Sequence, residues 1–413
     1  MKPRGVAERG SLLLACGFVM LGPPLALCQS LLTGGGANDV VRLHHTDAAT
    51  LELHEDRKDL PCDVSTSRAW LGFDLRFHAG YEVTIPLREL SGSENLLTII
   101  FRVTPEHSGD EPVYFSQRIR VPSVEEDAKG DAMLQGSFDM GEGTYHVDWL
   151  MRDRAERVCS HNWDLEAFLP ERDRDVALVI SPSTAQATDP EPFKEEPPVE
   201  RSTGDSPINV KVLINFAPQN SHSAVLQPLD TSALVSMLRT ISREPRIGRF
   251  SIIAFNLHEQ RVVFRQDNAD RIDFPSLGDA LHSLNLGTID LKRLSQKNGE
   301  TQFLAQLIRR ETGDQSRPDA LIFAGPKAML SENIPGEELK NLGDLEYPVF
   351  YMNYNLYPQA NPWRDAIGMA VKFFKGTEFT ISRPRDLWHA VTEMVSKIVK
   401  SKNERRSVAA SAR

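Results

Sequence analysis

Four cysteines in 413 residues, no apolar run long enough to span a bilayer and no compact catalytic motif are the first facts of this sequence. A Gly-x-Ser-x-Gly elbow, a Gly-x-x-x-x-Gly-Lys-Ser/Thr phosphate loop and a His-Glu-x-x-His pair are all missing, which removes the simplest routes to an esterase, a nucleotide hydrolase or a zinc protease. The net charge is −10, with no cluster of Lys and Arg that would form a basic face. Nucleic acid is therefore not an expected partner.

What is present begins with a leader. Lys2, Arg4 and Arg9 precede the apolar run Leu12 to Leu21, a Pro23-Pro24 break, and Ala26-Leu27-Cys28 before Gln29. This order matches a secretory signal over residues 1–28, so the chain is expected in the periplasm or outside the cell. Two alternatives stay open. Leu25-Ala26-Leu27-Cys28 has the look of a lipid-acceptor site, which would make a membrane the anchor through Cys28, although Leu27 is larger than the residue usual there. An uncleaved membrane helix is opposed by the prolines and by a run shorter than the ~20 residues that span a bilayer.

Cleavage takes Cys16 and Cys28 away and leaves Cys62 and Cys159. Two thiols in an oxidising compartment are expected to pair. A loop of that length adds about 4 kcal/mol through the unfolded chain.

Residues 29–40, with Gly34-Gly35-Gly36, read as a flexible leader. From residue 41 to 180 the pattern alternates at period two: Trp70 to Phe77, Tyr81 to Leu87, Leu96 to Val103, Val113 to Val121, Met133 to Phe138, Gly143 to Met151 and Ala177 to Ile180. Short strands separated by turn signals predict an antiparallel β-sandwich. Residues 181–206 are Pro-rich, charged and almost free of aliphatic side chains, which predicts a semi-extended linker. Beyond it, strands written as continuous apolar runs alternate with amphipathic helices over 207–400, the pattern of a mostly parallel sheet covered on both faces. Residues 401–413 are predicted to be a disordered basic tail.

The strand Ile208 to Ile214 runs into Asn215-Phe216-Ala217-Pro218-Gln219. A helix entry at Asn298-Gly299-Glu300-Thr301-Gln302-Phe303-Leu304 and a closing Gly376-Thr377-Glu378-Phe379-Thr380-Ile381-Ser382-Arg383-Pro384 follow in order. Together they make 207–400 resemble a von Willebrand factor A domain, and the whole chain resembles the secreted bacterial proteins related to that domain. The resemblance implies a doubly wound α/β fold and a divalent cation at the carboxyl end of the sheet. In the family the first loop reads Asp-x-Ser-x-Ser. Here its positions are Asn215, Ala217 and Gln219; Thr301 matches the second loop, and Ala324-Gly325-Pro326 replaces the third. Without carboxylate charge a hard cation has too little to offset its lost water. No metal and no other cofactor is expected, and Thr301 is expected to cap the following helix.

The expected activity is therefore binding of a protein partner, in the cell envelope or outside the cell, and not catalysis. The candidate contact residues are Asn215, Gln219 and Thr301, with Tyr354 and Tyr357 from the aromatic stretch Phe350 to Pro358, which precedes Trp363. Tyrosine and tryptophan are the residue types enriched in interface hot spots. An alternative is an envelope hydrolase with a cleft gathering His146, Asp148 or His161. A third is sugar binding through Trp70, Trp149 or Trp163, with Trp149 placed in the core by its alternation. His44, His45, Asp47, His54 and Glu55 carry ligand-type side chains, but neighbouring strand residues point to opposite faces. They are expected to be a plain exposed segment.

Overall fold

In the computed structural model the described residues are 30–31, 43–92, 95–106, 111–189, 191–202, 207–219, 226–282, 298–313, 317–328, 330, 334–340, 345–356 and 365–411. The proposed signal lies outside them, as do Tyr357 and Trp363. The molecule is mixed α/β with a β-rich N-terminal half. No helix among the described residues is long and apolar enough to cross a membrane.

The N-terminal half contains β1 (Ser30–Leu31), α1 (His45–Leu53), β2 (Asp63–Thr66), β3 (Trp70–Leu71), β4 (Phe77–Pro86), β5 (Asn95–Pro105), β6 (Val113–Val121), β7 (Asp131–Met140), β8 (Gly143–Arg152), β9 (Val158–Ala167) and β10 (Ala185–Ala187). They form two antiparallel sheets, ordered β1-β6-β5-β8-β9 and β10-β7-β4-β2, with β3 beside β4. Alternate residues of both sheets, among them Tyr81, Val83, Phe101, Phe115, Phe138, Tyr145 and Trp149, share one core. The core position expected for Trp149 holds. Cys62 and Cys159 form a disulfide across 97 residues, tying the segment before β2 to β9.

Four expectations for this half change. β1 pairs with β6, so part of the 29–40 leader is a strand. Trp70 to Phe77 is not one strand: a turn at Gly72 to Arg76, with Leu75 at φ 62°, breaks it and projects Phe73 outward. Ala177 to Ile180 is not a strand, whereas β9 is. The segment around His45 is helical, because Leu51 can bury against Ile100, Leu150 and Val158 on the outer face of the first sheet.

The C-terminal half runs β11 (Ile208–Asn215), α2 (Pro228–Ser242), β12 (Ile247–Asn256), β13 (Arg261–Ala269), α3 (Phe274–His282), α4 (Gly299–Thr312), β14 (Ala320–Pro326), α5 (Gly336–Lys340), β15 (Val349–Tyr354), α6 (Ala366–Phe373), β16 (Thr377–Ile381) and α7 (Pro384–Ser411). The sheet order is β13-β12-β11-β14-β15-β16. Every pair is parallel except β12 with β13. The inner strands β11, β12, β14 and β15 are buried on both faces, under α2, α3 and α7 on one side and α4, α5 and α6 on the other. That double burial is why these strands read as unbroken apolar runs.

The described residues of 181–206 and 401–413, two stretches expected to lack structure, are held. In 181–206, β10 pairs with β7, Phe193 is buried against Gly278, Glu196 pairs with Arg239 and Arg243, and Arg201 donates to the Ser242 and Glu244 carbonyls. Composition alone missed this, because the anchors are ion pairs and one aromatic ring instead of an apolar run. Residues 401–411 continue α7, and Lys402 and Arg405 both reach Asp319, at 2.5 and 3.2 Å. A charge excess that looks like a solvated tail is here the partner of a single carboxylate.

Candidate functional site

The carboxyl end of the parallel sheet was the expected site. Asn215 closes β11 and is buried; its Oδ1 accepts the Leu257 amide at 3.1 Å. Gly325, at φ 132°, lies against it, and a Cβ there would meet the Asn215 carbonyl oxygen at 2.8 Å. Only glycine combines that backbone conformation with so close an approach. Gln219 donates Nε2 to Asn355 Oδ1 at 3.1 Å across the mouth. What remains between these groups is a cavity of about 30 Å³, with Ala217, His258 and Lys327 also on its wall. Among its described lining residues there is no carboxylate. The nearest acid of the second loop, Glu300, faces His258 at 3.0 Å.

Two of the expected contact residues are corrected here. Tyr354 is fully buried within the C-terminal core, and Phe73 from the N-terminal half packs edge-on against its ring at 6.1 Å. Thr301 does not cap its helix: the N-cap is Asn298, and Thr301 lies buried in the first turn of α4. Tyr357 falls outside the described residues. Asn215 and Gln219 thus share the sheet end, with Gln219 at its rim, while Tyr354 is covered.

Two groups of ligand-type side chains lie in the N-terminal half, each with its atoms within 4.8 Å of one another. The first is built on the outer face of the β5-β8-β9 sheet, where register sets three side chains in a row. Ile100, Leu150 and Ser160 form one row, Arg102, Asp148 and Asn162 the next, and Thr104, His146 and Asp164 the third. α1 covers the apolar row. Its C-cap, His54, adopts the left-handed conformation at φ 52°, which is uncommon outside glycine. Asn162 Nδ2 holds the His54 carbonyl at 2.8 Å.

The His54 ring is thereby set against the polar rows. Its Nδ1 is 2.5 Å from Asp148 Oδ1 and 3.2 Å from His146 Nε2, and His146 Nε2 is 3.2 Å from the same carboxylate oxygen. The other oxygen of the buried Asp148 accepts both Arg102 Nε and Nη2, at 3.0 and 2.8 Å. His146 Nδ1 faces Asp164 at 2.6 Å. His161 does not join: it pairs with Asp56 and stacks on Trp163. The plain exposed segment expected around His54 is corrected by this meeting. His44 and His45 do stay exposed.

The second group is Asp74, His78 and Asp139. His78 and Asp139 are register partners on β4 and β7. Nδ1 meets Asp139 at 2.9 Å, Nε2 meets Asp74 at 3.0 Å, and Trp70 stacks over the ring at 5.6 Å. Burial pushes the imidazolium toward losing its proton, but the hydrogen bonds and charges of Asp139 and Asp74 outweigh it and raise the pKa to about 10. Burial also pushes Asp74 up, and the His78 hydrogen bond and charge overcome it, leaving its carboxyl below the usual range. Both ring nitrogens donate, so this group is a charged knot with no nitrogen lone pair to offer.

Trp70 is half exposed beside a groove of about 490 Å³ that also carries Ser67, Glu82, Gln135 and Ser137. Trp163 is half-buried.

No protein-family model matches this sequence, and no curated protein does. Among solved structures, a β-glucosidase from Listeria innocua in complex with glucose aligns at 12% identity and TM-score 0.17, over 26% of this chain and 16% of that one. The PilB minor pilin from Streptococcus sanguinis aligns at 8% identity and TM-score 0.27, over 83% of this chain and 80% of that one. A Bacteroides uniformis β-glucuronidase aligns at 10% identity and TM-score 0.18, over 76% and 38%. Likeness at this level carries no argument about fold or chemistry.

Proposed function

We propose that the chain is an exported, non-enzymatic interaction protein: a disulfide-stapled β-sandwich joined to a von Willebrand A-like domain that works without a cation. The strand order and the single antiparallel edge strand are in keeping with that family. The Cys62–Cys159 disulfide is in keeping with export. One observation carries the cation-free reading. The place where the family seats Mg²⁺ holds Gly325 pressed on Asn215, whose side-chain oxygen already accepts an amide. The residues present do not fit the ion, and a partner would meet amides and His258 instead.

A photoreactive residue at position 219, in intact cells, is expected to cross-link a protein partner. The same residue at Glu346, an exposed position at the opposite end of the sheet, should not. Equal yields at both, or none at 219, would remove this face. A saturable rise in melting temperature with Mg²⁺ would show that the cation-free reading fails, since a bound ion must stabilise by mass action.

A second reading, sugar binding by the N-terminal half, has one observation in its favour. Half-exposed Trp70 stands at the edge of a polar groove, the arrangement of an apolar platform with hydroxyl, amide and carboxylate neighbours. Quenching of tryptophan fluorescence by soluble oligosaccharides, lost in Trp70→Ala, would support it. An unchanged spectrum across the panel would end it.

A further inference from the structure

We propose that His54, His146 and Asp148 form a solvent-open, three-ligand site for a divalent transition metal of the zinc class. The three atoms that converge, His54 Nδ1, His146 Nε2 and Asp148 Oδ1, are 2.5, 3.2 and 3.2 Å apart. Tetrahedral ligands at about 2.1 Å from an ion stand about 3.4 Å from each other, so two edges already match and one must open by less than about 1 Å. The edge that must open belongs to His54, whose side chain is 50% exposed and can move.

The surrounding contacts leave one ligand atom on each residue. Arg102 occupies Asp148 Oδ2 with two hydrogen bonds, so the buried carboxylate offers Oδ1 alone and in a fixed direction. Asp164 on His146 Nδ1 places the ring proton there, which leaves the lone pair on Nε2 aimed at His54. A carboxylate behind a ligating imidazole is the usual outer partner at zinc sites. His54 is delivered by a left-handed backbone turn that a non-glycine residue adopts at some energetic expense. Asn162 and the disulfide-anchored segment that follows hold it there.

Two imidazoles and one carboxylate oxygen select Zn²⁺, Co²⁺, Ni²⁺ or Cu²⁺ over Mg²⁺ and Ca²⁺, which require oxygen donors. Three protein ligands leave a fourth position, and the exposure of His54 puts it toward solvent, where water completes the shell. The His78 group has the same residue types and cannot serve, since its ring nitrogens each face a different carboxylate.

The test is calorimetric titration of the oxidised full chain, without a polyhistidine tag, using Zn²⁺ at pH 7.5, with the Co²⁺ visible spectrum as a second readout. One equivalent is expected, with no uptake of Mg²⁺. His54→Ala and His146→Ala should each weaken it by about 100-fold or more, and Asp164→Asn by about 10-fold. His161→Ala should leave it unchanged. His54 caps an exposed helix end, so its variant keeps the fold, which a melting curve verifies. The absence of zinc uptake by the unaltered chain, uptake that survives both histidine substitutions, or a loss in His161→Ala equal to that in His54→Ala would overturn the proposal.

Discussion

The two histidine groups of the N-terminal half use the same side chains toward opposite ends. At His78 the carboxylates diverge: each takes one ring nitrogen, the ring is held charged, and Trp70 lies over it. At His54 and His146 the nitrogens converge on one carboxylate oxygen, while Arg102 and Asp164 occupy the outer positions. Chemistry follows the direction in which lone pairs point, and the list of residues does not report that direction. A divergent arrangement stabilises a fold, and a convergent one leaves a place for an electrophile.

The strongest way to sharpen this contrast is to cut the staple. Replacing Cys62 and Cys159 together should lower stability by about 4 kcal/mol in urea denaturation. It should also weaken zinc uptake, because the return segment from His54 to Cys62 loses its anchor to β9, whereas the His78 knot depends on β4 and β7. Zinc affinity unchanged by this replacement would mean that the hydrogen bonds of residues 54–60 to β9 are enough to place His54.

Next in size is the pair of alanine substitutions. His78→Ala strands the buried Asp139 with Arg76 and Thr188 alone and should lose about 3 kcal/mol. His54→Ala should stay within about 0.5 kcal/mol in metal-free buffer, since a half-exposed side chain away from the core contributes little. The reverse order would break the comparison.

The pH dependences should run in opposite senses. The folded pKa of His78, about 10, lies above its ordinary value near 6.5. Its contribution is therefore complete below about pH 6.5 and declines as pH rises toward 10. Metal-free melts of the native chain should lose stability over that window, and those of a folded His78→Gln variant should lose less. Metal binding releases protons from its ligands, so zinc uptake should weaken as pH falls.

The smallest effect calibrates both. Asp365, the N-cap of α6, accepts the Ile367 and Ala328 amides, and burial, opposed by its hydrogen bonds, pushes its pKa up to about 6. Here the ionised form is the one that folding disfavours. Asp365→Asn should gain about 1 kcal/mol above pH 6, with the gain fading as pH falls toward 3.8. A gain that persists at pH 3 would mean that burial is not its cause.

Much of the fold was legible because burial on both faces writes continuous apolar runs and burial on one face writes alternation. β15 and β16 lie where their patterns placed them, and β8 carries the alternation of Tyr145, Val147, Trp149 and Met151 toward the core. The same alternation puts His146 and Asp148 on one face, so two of the three convergent side chains were readable. His54 was not, because α1 is nine residues long with few apolar positions and is held by tertiary burial of Leu51. The Asp139 partnership was equally hidden, since β4 pairs with β7 across two intervening strands of the other sheet. Tyr354 looked available at the end of its strand, but it belongs to the core, where Phe73 from the other half is one of the side chains that cover it.

The anchored stretch between the halves changes what that last contact has to achieve. With Thr188 bonded to Asp139 on one side and Phe193 buried on the other, four residues, 189–192, separate the fixed points in sequence. A tether so short, spanning at most about 3.5 Å per residue, keeps Phe73 at a high effective concentration above Tyr354. The same short tether favours the Arg385–Asp173 ion pair at 2.9 Å, so contacts too weak to hold two separate molecules together act jointly between the two halves.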